Sequence, residues 1–315
     1  MDIIIFLKAV APLRERFVSY GPRAASSKPE QEPEPDSTEP EITTKTHETK
    51  PARLTSNTEL QTPTLIDRSL DYLASWKVPH SYFTQFYVVS LISSIFWATQ
   101  IIWKGPAFRI VSALYDADSA QGSSMSVNQV LVCSALMAIQ GARRLYECVT
   151  LSKPSQSTMW IAHYILGILY YLAMTVAVWI EGMPALRSTD IMYSNARISP
   201  PSLRTMIFFP VFLFASGIQH DCHVYLASLK KYTLPVHPAF LSVVCPHYTA
   251  ECMIYVSLAF LAAPQGQIVN KTLLSGLIFV VVNLGVSAGI SKEWYIGKFG
   301  KESVQHRWKM IPGVY

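Results

Sequence analysis

Ionisable and hydrogen-bonding residues gather at a few points along this chain, each beside a long apolar run, and any chemistry must be sought there. In VVCPHYTAECMIYVSLAFLAA, residues 243–263, His247 and Glu251 stand four apart at the lip of the run, so a helix would carry both on one face. The pair reads either as polar contacts to a ligand or as an acid at the positive end of a helix. A second cluster, Gln219, His220, Asp221, Cys222 and His223, ends the apolar stretch FASGI. Adjacent residues on a helix point in different directions, so at most His220 and His223 could share an ion, and no metal site is expected. The third, GARRLYEC, sets Arg143, Arg144 and Glu147 where a positive membrane anchor with an i,i+4 ion pair and a polar-ligand site read equally well. Two further elements, KKYTLPVHPAFLSVVCPHYTAE (230–251) and SKEWYIGKFGKESVQHRWKMIPGVY (291–315), bring Lys, Arg, Tyr and His beside apolar helices. Such a lining suits a phosphate-bearing, aromatic-containing cofactor whose reactive end reaches into apolar surroundings. No GxGxxG follows a strand and no GxxxxGK[ST] occurs, which excludes a soluble dinucleotide module.

The elements that must position these groups are apolar helices. Half of the 315 residues are hydrophobic and 15% are charged, a balance of an integral membrane protein. No fixed charge falls between Lys77 and Lys104, nor within 119–142, 154–180, 205–220, 252–270 and 272–291. Most of these windows reach the roughly 17–25 residues that a helix needs to cross the hydrocarbon core, which predicts an all-α, polytopic protein with six spans, 205–220 being the shortest. Residues 22–63, rich in Pro, Glu, Thr and Ser, read as a disordered linker. Residues 1–21 hold an apolar run broken by Lys8 and stopped by Pro12, and read as an interfacial segment or as the remnant of a longer, seventh helix. Basic residues near the helix ends divide twelve against six. Arg68, Lys77, Arg143, Arg144, Lys153, Lys230, Lys231, Lys292, Lys298, Lys301, Arg307 and Lys309 lie on one side; Lys104, Arg109, Arg187, Arg197, Arg204 and Lys271 lie on the other. The richer side, with loop 221–251 and the tail, is therefore expected in the cytosol. The sequon Asn270-Lys271-Thr272 falls on the poorer side, pressed between two helices, and is expected to be unmodified. The five scattered cysteines form no CxxC pair and are expected to be thiols.

Four blocks in order resemble the steroid 5α-reductase family, and within it the polyprenol or polyprenal reductase branch: VPHSYFTQFY (78–87), RRLYEC (143–148), QHDCHVYLASLK (219–230), and LPVHPAFLSVVCPHYTAE (234–251) with WYIGKF (294–299) and HRWKMIP (306–312). The resemblance covers residues 78–315. It implies a helical membrane reductase using NADPH, with the cofactor-binding part at about 205–315. It further implies NADPH contacts at Gln219, His223, Tyr232, His247, Glu251, Tyr295 and Arg307, to which Lys298 adds a charge suited to phosphate. The steroid branch's carbonyl-binding Glu has no counterpart in VPHSYFTQFYVV, and its Tyr falls on Gln140. Hydride adds to an alkene carbon only where the electron pair has a sink, as in an α,β-unsaturated carbonyl whose oxygen is held by an acid. The expected substrate is thus the long-chain aldehyde polyprenal rather than the alcohol, with Tyr87 facing the carbonyl and His80, Gln140 and Tyr146 as helpers or substitutes. The resemblance implies the endoplasmic reticulum membrane, with bilayer lipid as surroundings; neither nucleic acid nor an obligate protein partner is expected. The alternatives are a reductase of another enone or enal lipid, a membrane methyltransferase using S-adenosylmethionine, and a non-catalytic lipid-binding protein.

Overall fold

A computed structural model describes residues 65–115, 123–153, 155–189 and 201–315. The N-terminal segment expected at 1–21 and the linker expected at 22–63 both lie outside them. Among the described residues ten α-helices and one small two-stranded sheet follow in order: α1 Leu65–Ser75, β1 Lys77–Pro79, α2 Phe83–Ile102, α3 Pro106–Leu114, α4 Val127–Leu151, β2 Thr158–Trp160, α5 Ile161–Ile180, α6 Met183–Ser188, α7 Leu203–Ser228, α8 Pro238–Ser242, α9 Pro246–Leu261 and α10 Lys271–Phe299. Polar caps mark where the long helices begin. Ser126 and Gln129 form a reciprocal capping box at α4, Ser202 accepts from Thr205 N at α7, and Asn270 accepts from Leu273 N at α10. Pro246 opens α9, where its missing N–H costs nothing.

The six long helices, α2, α4, α5, α7, α9 and α10, occupy the six charge-poor windows. By length and composition three of them are able to cross a membrane: His80–Ile102, Ile161–Ile180 and Lys271–Phe299. Among the described residues the other three long helices do not meet this criterion, so the expected count of six spans is not confirmed. Helix α9 has 16 residues and at 1.5 Å per residue falls short of a hydrocarbon core about 30 Å thick. Helices α4 and α7 carry Arg143, Arg144, Glu147 and Asp221 in their C-terminal thirds. Outward faces are apolar all the same: Ile92, Leu169, Phe214 and Ile278 are exposed, a surface made for lipid rather than water.

Helices α7 and α9 lie along each other, α2 rests on both α4 and α5, and α10 closes against α9. The helices alternate in direction, so one end of the bundle collects the close of α2, α5 and α9 with the start of α4 and α10. There Ile101, Met125, Trp179, Leu258 and Leu273 form a dry core. At that end Glu181, just past α5, accepts from Thr272 N and Oγ1 at 2.7 Å each, tying the foot of α10 to α5. At the opposite end β1 and β2 pair antiparallel, Val78 opposite Met159, and bind the start of α2 to the start of α5. All five cysteines are free.

Candidate functional site

The end of the bundle opposite the dry core holds a cavity of about 360 Å³. All six long helices contribute to its lining, and its two sides differ in chemistry. Phe83, Phe86, Tyr170, Tyr171, Tyr255 and Phe279, from α2, α5, α9 and α10, form an aromatic side; Arg144, Gln219, His223, His247 and Glu251, from α4, α7 and α9, form a polar one. His80, in the turn that enters α2, sits at the rim with its N–H on Ser157 O at 2.9 Å and its ring stacked on Phe83.

Helix periodicity explains how the polar side assembles. Arg143 and Arg144 lie four and three residues before Glu147 on α4, so all three share a face. His220 and His223, three apart on α7, meet that face with Nδ1 atoms 2.8 Å from the two Glu147 oxygens. The Glu147 side chain is only 2% exposed, and it receives both guanidiniums as well. A carboxylate taken out of water costs several kcal/mol, and four partners from two helices offset it. With two guanidiniums at the carboxylate the cluster is an ion-pair network; among the described residues no group of three His, Cys, Asp or Glu could hold a metal.

A second chain of hydrogen bonds runs beside it. Gln219 donates to Glu251 through Nε2, and its Oε1 accepts from Arg143 and from Gln140 Nε2 at 3.0 Å. Gln140 Oε1 in turn accepts from Arg143 at 2.9 Å. Arg144 then reaches across to α2: its Nε and Nη2 donate to Tyr87 Oη at 3.2 and 2.9 Å, and its guanidinium carbon stands 4.8 Å from the ring centroid. Tyr87 Oη is thus an acceptor twice over, which leaves its own single proton for another oxygen.

The sequence-expected residues divide into three groups. His80, Tyr87, Gln219, His223, His247 and Glu251 line the cavity, and Gln140 lies just behind it, bonded to Gln219. Tyr232, Tyr295 and Lys298 form a separate patch: Lys298 Nζ and Lys231 Nζ stand 5.6 and 5.0 Å from the Tyr232 ring, and Trp294 bridges Tyr232 and Tyr295. Arg307, buried, donates to Pro235 O at 2.9 Å, while its Nε is buried without a hydrogen-bond partner among the described residues. Tyr146 is 62% exposed and points away from both groups. The tail is fastened next to His247, with Val244 N donating to Trp308 O at 2.7 Å and Thr249 Oγ1 to Met310 O. The patch offers cations beside aromatic faces, and the cavity a mixed polar and aromatic lining.

Residues that the sequence did not single out also line the cavity: Tyr170, Tyr171, His163 and Asn283. Asn283 carries the clearest missed signal, a polar side chain in the middle of a charge-free window. The adjacent tyrosines in GILYYLAM gave a weaker one.

The chain is similar to several known proteins. The family described as 3-oxo-5-alpha-steroid 4-dehydrogenase matches residues 188–315. A polyprenal reductase of Saccharomyces cerevisiae is 30% identical over 246 residues, covering 78% of this chain and 78% of its own. The polyprenal reductase of Homo sapiens is 27% identical over 264 residues, 76% of this chain and 79% of its own. Polyprenal reductase 2 of Oryza sativa subsp. japonica is 27% identical over 289 residues, 76% and 80% respectively.

Proposed function

The chain belongs to the steroid 5α-reductase family, in its polyprenal reductase branch, and from that premise we propose that it saturates the α-isoprene double bond of polyprenal, giving dolichal. It is an oxidoreductase acting on a carbon–carbon double bond. NADPH is the proposed reductant, and the hydride is what it would supply. Residues 78–315 are the proposed reductase domain and about 205–315 its cofactor-binding part, with Gln219, His223, His247 and Glu251 toward the reactive end and Tyr232, Tyr295, Lys298 and Arg307 toward the phosphates and adenosine. The proposed site is the endoplasmic reticulum membrane, with the polar end of the bundle facing the cytosol and bilayer lipid around the rest.

The observation that carries this reading is the Tyr87–Arg144 pair in the wall of a largely aromatic cavity. Reduction of an enal builds negative charge on the carbonyl oxygen, and a hydroxyl whose lone pairs are already engaged by a guanidinium is the donor best prepared to meet it. Arg144 holds that hydroxyl in place and Glu147 holds Arg144, so the donor needs no reorganisation when charge develops. The aromatic side excludes water and takes the isoprene unit, whose faces are apolar. Gln140, buried behind Gln219, fixes Glu251 rather than meeting substrate. His80 at the rim is placed to meet the aldehyde as it arrives.

The test is reductant consumption by purified protein in detergent, with polyprenal and polyprenol offered separately and products followed by mass spectrometry. Turnover of the aldehyde alone is expected. Turnover of the alcohol with no aldehyde intermediate would overturn the carbonyl mechanism, and turnover of steroid enones in place of both would overturn the substrate.

A further inference from the structure

The Tyr87–Arg144 pair stabilises charge on the carbonyl oxygen but leaves half of the reaction without a source. Addition of hydride to the β-carbon breaks the C=C π bond and leaves its electron pair delocalised over the α-carbon and oxygen. Forming the α C–H bond then takes one proton. The guanidinium that holds Tyr87 gives up no proton in a protein. The α C–H proton needs a source of its own.

We propose that His220, Glu147 and His223 form that path, carrying a proton from water at the polar end of the bundle to His223, which delivers it to the α-carbon. The proposal rests on the double-bond reduction argued above. Three observations carry it. The imidazoles approach the two oxygens of one carboxylate, Nδ1 of each at 2.8 Å, so the three groups are continuous. The two ends differ in access: the His220 side chain is 36% exposed, whereas His223 lines the cavity. Lastly, His223 Nδ1 also lies 2.7 Å from Arg144 Nη1. Guanidinium is an obligate donor and ionised Glu147 an obligate acceptor, so this one nitrogen satisfies either neighbour but never both. With a proton on Nδ1 the ring donates to Glu147, and without one it accepts from Arg144, so each state that a relay passes through has a partner.

The surroundings of His223 bear on its titration from every side. Helix α4 presents Arg143, Arg144 and Glu147, α7 presents His220, α2 presents Tyr87, and α9 presents His247, with ring centroids 5.5 Å apart, and Glu251. The delivered proton leaves neutral His223, which regains one from His220 across Glu147; His220 regains its own from water. No group is consumed.

The test uses H220A, a change at the exposed end of the path that leaves both guanidiniums paired with Glu147. Expected are a fall in kcat of about 10-fold or more at pH 8, a larger solvent deuterium isotope effect, an unchanged KM for the reductant, and recovery of rate on adding imidazole. Wild-type kcat and isotope effect in H220A, or a loss that imidazole does not restore, would overturn the relay. In substrate-free protein with 15N-labelled histidine, H220A should also move the His223 titration, and an unmoved His223 resonance would equally overturn it. If wild-type protein fails to reduce the aldehyde, the substrate reading fails by itself, while the titration still reports on the path.

Discussion

Replacing Tyr87 by Phe removes one oxygen from an aromatic cluster and leaves its ring contacts with Phe83 and Tyr171 in place. The expected loss is therefore in kcat, about 100-fold, with KM for polyprenal changed little, as steady-state kinetics will show. R144M should lose a similar factor, and the double variant little more, because the two groups act as a unit. R144K should fall between, since a single ammonium cannot reproduce the fork on Tyr87 Oη and Glu147 together. Glu147 answers to a different measurement. E147Q strips the countercharge from two guanidiniums in a buried cluster, and about 3–5 kcal/mol of stability should go with it, visible as a lower thermal midpoint. These pairings were only half legible in the sequence. Arg143, Arg144 and Glu147 announce one another by spacing, but Tyr87 and Arg144 are 57 residues apart and join two helices, so no local periodicity could link them.

At the scale of helices, α2 and α5 approach closely because α5 carries Gly167. A Cβ there would stand 2.6 Å from the Phe86 ring, itself flanked by Phe83 and Tyr164. G167V should cost about 1–3 kcal/mol by overpacking, press Phe86 toward the cavity and raise KM. Gly276 makes the control: its Cβ would meet only the sulfur of Met174, a flexible side chain, so G276A should melt close to the wild type. The long helices could be read from charge-free windows because intramembrane charge is expensive. The number able to span could not, since α9 stops at 16 residues and the windows of α4 and α7 run on into charged turns. The outer patch also escaped: Tyr232, with φ of 64°, turns out of its loop toward Trp294 and Lys298, a tertiary arrangement that residue types alone do not report.

For the molecule as a whole, the cavity of about 360 Å³ is near the lower end of the roughly 300–1,000 Å³ of small-molecule sites. On the proposed function it must hold the reacting end of a polyprenal beside that of the reductant, so the rest of the isoprenoid lies outside it, in the lipid. Short and long polyprenals should accordingly show similar kcat, with differences in KM that disappear once partitioning into micelles is corrected for; a steep dependence of kcat on length would contradict this. Such a substrate has to pass between helices, and the ties between α5 and its neighbours say where. Helix α5 is bound to α2 by the strand pair and by Ser93 to Thr175 at 2.7 Å, but at cavity height it meets α10 through the stacked rings of Tyr170 and Phe279. The hydrogen bonds from Thr272 to Glu181 hold α10 at its far end. The cavity end of α10 is tied to the tail through Lys292 and Arg307 O, so between those ties the α5–α10 seam is closed by ring contact, and that is where a branched chain is expected to enter, at the expense of van der Waals contact rather than of a hydrogen bond.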